Sequence, residues 1–150
     1  MKVGEENDLY GLDFTSDGAL LACGGKDGIV RVFNEKNKVC EFDFKDMGFA
    51  PHSNRIFCVK FNPFDQNMLI SAGWDNAVVI NDMRMHKPID SILGPRIAGD
   101  SLDFSKEGFL LTGSNSTSQA IQLWDLKTRA VVGGISWGGG FLPNFKTMEV

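Results

Sequence analysis

The side chains of this sequence that could carry out catalysis or hold a metal ion are few. His52 and His86 are the two histidines, and histidine is the usual general base and a common metal ligand. Neither belongs to a His-x-x-x-His pair, and Cys23, Cys40 and Cys58 form no Cys-x-x-Cys pair, so the spacing typical of zinc sites is absent. His86 lies in a polar segment that we interpret as a solvated turn. The sequence therefore predicts no metal ion, no cofactor and no enzymatic activity.

A glycine-rich segment, Gly24-Gly25-Lys26-Asp27-Gly28, is the one candidate for binding a phosphate group. It lacks the Gly-x-x-x-x-Gly-Lys-Ser/Thr order, and it precedes a predicted strand, whereas a phosphate-binding loop precedes a helix. The net charge of −4 with mixed signs argues against a nucleic-acid partner. No apolar run approaches the ~18 residues of a membrane helix. Residues 1–8 lack the apolar core of a signal peptide, and the odd number of cysteines suits a reducing compartment, so we expect a cytoplasmic location, with the nucleus as an alternative.

The positions of the apolar residues reveal a repeat. Phe14, Phe61 and Phe104 are landmarks of three similar segments and lie 47 and 43 residues apart. A period of ~40–45 residues with four short strands in each unit is typical of a propeller blade. The predicted strands are approximately 9–14, 19–24, 28–33 and 39–44 in the first unit, 56–61, 68–72, 77–81 and 88–93 in the second, and 98–104, 109–113, 120–124 and 130–135 in the third.

Turn residues and small residues separate these strands. Asp17-Gly18, Asp27-Gly28 and Asp75-Asn76 favour the positive φ angles that tight hairpins need. Asp13 and Asp103 recur at the same position of two units, which favours a scaffold role over an acid–base pair. The second strands end in residues that are small enough to allow neighbouring sheets to approach closely: Gly24, Ala72 and Gly113.

The units resemble WD repeats, the tryptophan–aspartate repeats of β-propellers. The second unit matches best, with His52, Ile56, Val59, Phe61, Pro63, Leu69, Ser71 and Asp75 in register, and the third ends in Trp124-Asp125. The resemblance covers residues ~5–135. It implies an all-β fold, a partial propeller of about three four-stranded antiparallel blades whose innermost strands line a central channel. We expect one domain over 1–150, with units at about 5–46, 52–94 and 95–137 and an irregular tail at 138–150.

The family has an internal hydrogen-bond network that joins a His, a Ser or Thr, an Asp and a Trp within one unit. The matching residues are Glu5, Cys23, Asp27 and Phe33 in the first unit, His52, Ser71, Asp75 and Asn81 in the second, and Pro95, Thr112 and Trp124 in the third. No unit has the full set. We expect a cost of ~1–3 kcal/mol wherever a buried partner is left unsatisfied.

The resemblance implies a non-catalytic scaffold that binds other proteins through one rim of the propeller. The residues that match the rim positions are Tyr10, Lys26, Arg55, Phe57, Trp74 and Asp100, together with Asp8 and Ala98. Trp and Arg are frequent anchors of protein interfaces. A second interpretation stays open, in which Trp74 packs on Arg55 as a local lid and Phe57 lines the channel.

An alternative function is the substrate-receptor subunit of a cullin-type ubiquitin ligase. Such receptors resemble WD repeats that end in a hydrophobic residue followed by Trp-Asp-x-Arg. The segment Val79–Arg84 approaches this pattern, with Asn81 in the place of Trp.

Three units are fewer than the ~4–8 blades that close a propeller. Residues 136–145 look like an interrupted fourth unit. Four alternatives remain open: a fragment of a larger propeller, a ring formed by self-association of two chains, a ring completed by another protein, and an arc that stands alone.

Overall fold

A computed structural model describes residues 7–45, 51–116 and 120–135. Within these ranges the chain forms twelve strands and no helix. The strands are β1 Leu9–Phe14, β2 Leu20–Gly25, β3 Val30–Asn34 and β4 Cys40–Phe44, then β5 Ile56–Phe61, β6 Met68–Gly73, β7 Ala77–Asp82 and β8 Lys87–Leu93, then β9 Leu102–Phe104, β10 Leu110–Gly113, β11 Ile121–Asp125 and β12 Ala130–Ile135. Each run of four forms one sheet with its strands in chain order, and we name these sheets 1, 2 and 3.

All neighbouring strands pair antiparallel, so each sheet is an up-and-down meander. The three sheets do not close into a ring. The all-β fold class and the partial propeller of three four-stranded blades are therefore confirmed. Residues 138–150, the predicted irregular tail, lie outside the described residues.

The strand boundaries follow the sequence predictions within two residues, with one exception. The strand predicted over 98–104 begins at Leu102, because the chain bends at Gly99 and Asp100 instead of continuing the ladder. The Asp100 carboxylate turns to the Cys58 thiol, which lies 3.1 Å from its Oδ1 atom. This contact lies at the interface between sheets 2 and 3. The residues of the third unit alone therefore do not predict it.

The predicted turns have the backbone that their residues favour. Gly18 and Gly28 both have a φ of 71°, and Asn76 has a φ of 57°. A glycine adopts this left-handed conformation without steric cost, and asparagine tolerates it better than most residues. The sequence prediction of tight turns at these positions is confirmed.

Sheet 2 lies between the other two sheets and is buried on both faces. All six residues of β7 are buried. The core between sheets 1 and 2 consists of Ala22, Val30, Val32, Phe44, Ile56, Val59, Phe61 and Leu69. The core between sheets 2 and 3 consists of Cys58, Ile70, Ala72, Val78, Ile80, Ile92, Ile97, Leu102, Leu110 and Trp124. Because side chains alternate between the faces of a strand, the buried strands of sheet 2 carry apolar side chains on both faces.

Sheets 1 and 2 approach each other most closely where side chains are missing. A Cβ atom on Gly24 would lie 2.6 Å from Cγ2 of Ile56, and one on Gly11 would lie 3.1 Å from the backbone of Cys58. A hydrogen bond crosses the same interface, from the Phe61 backbone N–H to Oδ2 of Asp13, at 2.8 Å. Asp13 therefore fixes how sheet 1 sits on sheet 2, which agrees with the scaffold role expected for it.

We predict that Gly24→Ala lowers the free energy of unfolding by about 1–3 kcal/mol, the usual cost of overpacking a filled interior. The added methyl group would collide with Ile56, which is wholly buried in the core between sheets 1 and 2. Urea unfolding followed by circular dichroism measures the change. Gly99→Ala is the matched control, because a Cβ atom at Gly99 meets open space. Equal stability of the two variants would contradict the close approach of the sheets.

Candidate functional site

A chain of buried hydrogen bonds connects three side chains within sheet 2. Nδ1 of His52 lies 2.8 Å from Oδ2 of Asp75, and Nε2 of His52 lies 2.9 Å from Oγ of Ser71. His52 is 3% exposed and Ser71 is wholly buried. β6 supplies Ser71, the turn after β6 supplies Asp75, and the segment before β5 supplies His52. The structure thus brings together the three residues that the sequence matched to the network of the second unit.

The three residues have the connectivity of a catalytic triad, in which a histidine links a nucleophilic serine to an orienting carboxylate. The surroundings of Ser71 do not allow that chemistry. Its hydroxyl is sealed from solvent, and its oxygen also lies 3.1 Å from Nδ2 of Asn81, which donates to it. Both ring nitrogens of His52 and the oxygen of Ser71 are therefore engaged by buried partners. The pattern satisfies buried polar groups and leaves no nucleophile for a substrate.

Asn81 occupies the position of the family's Trp and satisfies the network only in part. Its Nδ2 atom donates to Ser71 and, at 3.3 Å, to the backbone oxygen of Leu69. Its Oδ1 atom is buried and has no partner among the described residues. A buried acceptor without a partner costs about 1–3 kcal/mol. The hydrogen bonds of His52 therefore stabilise sheet 2, whereas the Oδ1 atom of Asn81, unpaired within the described residues, destabilises it.

The other two sheets carry shorter versions of the network. In sheet 3, Nε1 of Trp124 donates to Oγ1 of Thr112 at 3.0 Å, and Thr112 is wholly buried. In sheet 1, Asp27 pairs with Arg31 at 2.6 Å instead of with a histidine. Glu5, the residue at the histidine position of the first unit, lies outside the described residues. Among these residues, only sheet 2 links a histidine, a hydroxyl and a carboxylate.

The carboxylate of Asp75 also fixes the turn between β6 and β7. Oδ2 of Asp75 accepts a hydrogen bond from the Ser53 backbone N–H at 3.2 Å, and Oδ1 accepts one from Ala77 at 3.4 Å. Trp74 precedes Asp75, and its backbone N–H donates to the carbonyl of Arg55 at 3.2 Å. The buried network and this backbone bond together hold Trp74 in place at the surface.

The pKa of Asp75 results from opposing effects. Burial disfavours the charged carboxylate and acts to raise the pKa. The hydrogen bond from His52, the charge interaction with His52, and the backbone N–H groups of Ala77 and Ser53 favour the charged form and outweigh burial. The pKa of Asp75 is therefore lower than usual, and the carboxylate stays ionised in the folded protein at neutral pH.

Three aromatic side chains form a continuous row on the surface beside this turn. The ring centroids of Tyr10 and Phe57 lie 4.9 Å apart, and those of Phe57 and Trp74 lie 5.1 Å apart. Tyr10 is 39% exposed and Trp74 is 37% exposed, while Phe57 is half-buried between them. We name Tyr10, Phe57 and Trp74 the aromatic row. It spans sheets 1 and 2, and all three residues were among the predicted rim positions.

Two arginines lie against the Trp74 ring. The Cζ atom of Arg55 is 5.9 Å from the ring centroid, and that of Arg96 is 5.4 Å away. Both distances fall within the ~6 Å of a cation–π contact. Arg55 was predicted from its rim position, whereas Arg96 was not.

Arg96 reaches Trp74 because the connection between β8 and β9 is attached to the β6–β7 turn. The backbone N–H of Ile97 donates to the carbonyl of Gly73 at 3.0 Å, and the N–H of Asn115 donates to the carbonyl of Arg96 at 2.9 Å. In the sequence, Arg96 is distinguished only by its position beside Pro95, at the start of the third unit. That position carries no information about a contact with the second unit.

Lys26 and Asp100, two further predicted rim residues, do not join the aromatic row. No hydrogen bond, ion pair or ring contact connects either to it within the described residues. The Asp100 carboxylate instead accepts from the Cys58 thiol and lies 3.9 Å from Nζ of Lys60. Burial, and then this bond to Asp100, raise the pKa of Cys58 to about 12, so the thiol stays protonated and is not a nucleophile.

His86, interpreted from the sequence as a solvated turn residue, has an additional packing role. It is exposed in the turn between β7 and β8, but its ring stacks on Phe42 with centroids 3.8 Å apart and an interplanar angle of 11°. Phe42 belongs to β4, so the contact joins the outer parts of sheets 1 and 2.

The fold and the buried network define a partial β-propeller made of repeated blades. Residues 2–34 and 46–82 match the family model described as WD domain, G-beta repeat. The predicted resemblance to WD repeats is therefore confirmed in these two segments. Sheet 3 lies beyond the matched residues and has the same four-stranded architecture.

Several curated proteins are similar to this chain. The periodic tryptophan protein 2 homolog of Dictyostelium discoideum is 24% identical over 127 residues, covering 83% of this chain and 13% of the relative. The F-box-like/WD repeat-containing protein TBL1Y of Homo sapiens is 28% identical over 121 residues, covering 81% of this chain and 22% of the relative. The protein transport protein SEC31 of Candida glabrata is 26% identical, covering 92% of this chain and 12% of the relative. The chain thus spans at most about a fifth of the length of these relatives.

Within the described ranges, no helix is long and apolar enough to cross a membrane. The same residues contain no group of three or more His, Cys, Asp or Glu side chains that could hold a metal ion.

We predict that Asp75→Asn destabilises the protein in a pH-dependent way. Since the folded pKa of Asp75 is lowered, its ionisation stabilises the fold above the unfolded pKa of about 3.9. That contribution disappears as the pH falls through the folded pKa. The variant should be less stable than wild type by at least about 1 kcal/mol at neutral pH, and the difference should shrink in acid.

Chemical unfolding at a series of pH values measures this difference. Glu41→Gln is the control, because Glu41 is exposed on β4 and makes none of these bonds. A stability difference between wild type and Asp75→Asn that stays constant from neutral pH into strong acid would show that the charge of Asp75 contributes nothing.

Proposed function

We propose that this chain is a non-catalytic interaction module that binds another protein through the aromatic row and its two arginines. The observation that carries the proposal is the Trp74 side chain, which is exposed while its backbone turn is held by buried hydrogen bonds. A large aromatic ring at the surface leaves apolar area in water that a partner would cover. We place the module inside the cell, where its free cysteines would stay reduced.

The chemical types of these residues suit an interface. Binding energy in protein complexes concentrates in Trp, Tyr and Arg, and the surface presents all three types next to each other. Aromatic rings add large contact area with few rotatable bonds, so little conformational entropy is lost on binding. The hydrogen bonds around Asp75 preorganise the Trp74 turn, which lowers the cost of association further.

The alternative interpretation is that Trp74 covers the local structure beneath it and has no partner. The contact with Arg55 is compatible with both interpretations, since a cation–π pair can stabilise a fold or form part of a binding surface. Phe57 contacts the core between sheets 2 and 3 and has a structural role in either case. Variants at Trp74 and Arg55 separate the two.

We predict that Trp74→Ala and Arg55→Ala each reduce the binding of protein partners at least tenfold, or about 1.4 kcal/mol, without changing the fold. The measurement is quantitative affinity capture from a lysate, with far-ultraviolet circular dichroism and thermal unfolding of each variant. Phe64→Ala is the matched control, because Phe64 is an aromatic residue that is 59% exposed in the turn between β5 and β6.

Unfolding of both variants would assign Trp74 and Arg55 to the fold. A folded Trp74→Ala variant that captures the same proteins as wild type would reject the binding surface.

The role of ligase substrate receptor stays a prediction. The two charged residues of its motif already bind each other, since Nη2 of Arg84 lies 2.7 Å from Oδ2 of Asp82 and Nε lies 3.2 Å from Oδ1. A ligase adaptor would have to contact this pair as a unit or separate it. Capture of other proteins without the adaptor would reject the receptor role and leave the interaction module in place.

A further inference from the structure

We infer that the partner segment is acidic: Arg55 and Arg96 bind one of its carboxylate groups while a neighbouring apolar side chain rests on the aromatic row. This inference rests on the proposed function, because it names the chemistry of the ligand for the same surface. The occupant is an extended, unmodified peptide segment of another protein.

The arginines of the chain divide into two groups. Arg31 pairs with Asp27, Arg84 with Asp82, and Arg129 with Asp90. The other two of the five arginines, Arg55 and Arg96, have no carboxylate partner among the described residues. These two are also the arginines that lie against the Trp74 ring. The two arginines without a carboxylate partner among the described residues therefore lie at one place, beside the exposed tryptophan.

Two like charges held at one ring repel each other. The quadrupole of the Trp74 ring offsets this repulsion only in part. An anion shared by Arg55 and Arg96 would relieve the repulsion. The planar fork of a guanidinium group matches a carboxylate, which accepts two parallel hydrogen bonds from it.

Two carboxylates close in sequence to Trp74 and Arg96 are already engaged. Asp75 accepts from His52 and from two backbone N–H groups, and it is buried. Asp100 accepts from Cys58 and lies near Lys60. Neither can turn to the arginines without breaking these contacts, so among the described residues these two carboxylates do not supply the anion. In our inference the partner supplies it.

The two ends of the aromatic row differ in charge. The Trp74 end carries the two arginines, whereas at the other end the hydroxyl of Tyr10 lies 3.3 Å from Oδ2 of Asp8. A bound segment would therefore place its carboxylate at the Trp74 end and its apolar side chain towards Phe57 and Tyr10. A nucleic acid is disfavoured, because it needs a wide basic surface and the net charge of the chain is −4.

The test is a selection from a random-sequence peptide library displayed on phage, with the whole chain as the immobilised target. Wild type should enrich peptides with Asp or Glu next to an aromatic or aliphatic residue. The double variant Arg55→Gln/Arg96→Gln should lose this enrichment and bind the selected synthetic peptides at least tenfold more weakly. Lys36→Gln/Lys106→Gln is the control, because it removes the same net charge from exposed turns and should bind like wild type.

Synthetic versions of one selected peptide complete the test. Replacing its Glu residues by Gln should weaken binding at least tenfold, and raising the salt concentration should weaken it further. Equal binding of the Gln version overturns the inference. A phosphoserine version that binds at least tenfold more tightly than the Glu version would identify a phosphate, not a carboxylate, as the ligand group, and would also overturn it.

The outcome separates this inference from the proposed function. A selected pool without acidic residues, or no selected pool at all, overturns the acidic segment, while the proposed function survives if Trp74→Ala still loses protein partners from a lysate. If Trp74→Ala loses none, the binding surface itself is rejected.

Discussion

The structure depends on the burial of both faces of sheet 2. A four-stranded sheet with apolar side chains on both faces can exclude water only if it has a neighbour on each side. Sheets 1 and 3 provide these neighbours, and β7 is buried along its entire length as a result. The outer two sheets have one such contact each, and residues such as Leu12 on β1, which is 61% exposed, stay uncovered. The cooperative unit is thus the stack of sheets, since no sheet can exclude water from both faces alone.

Burial on both faces also determines the polar chemistry. A polar side chain in the middle sheet must find a partner inside the protein, because water cannot reach it. His52, Ser71 and Asp75 satisfy one another, and Asp75 uses its remaining capacity on the turn that carries Trp74. The same hydrogen bonds therefore serve the interior and the surface. This connection explains how the fold fixes the turn that carries an exposed aromatic ring, flanked by two arginines without a carboxylate partner among the described residues.

The sequence predicted those features that depend on local pattern. The alternation of apolar residues located eleven of the twelve strands within two residues, and the turn residues predicted the positive φ angles at Gly18, Gly28 and Asn76. The features it missed depend on how one unit meets the next. Arg96 contacts Trp74 across units, and the Asp100 carboxylate accepts a hydrogen bond from the Cys58 thiol of the second unit. Such contacts need the relative placement of two sheets, which no repeat pattern within a single unit contains.

Hydrogen–deuterium exchange of the backbone amides tests the central role of sheet 2 most directly. β3, β7 and β11 are the third strands of their sheets, and each is hydrogen-bonded on both sides. They differ in packing, because only β7 has a neighbouring sheet on both faces. We expect the amides of β7 to exchange more slowly than those of β3 and β11. Equal exchange in the three strands, or slower exchange in β3 or β11, would contradict the account.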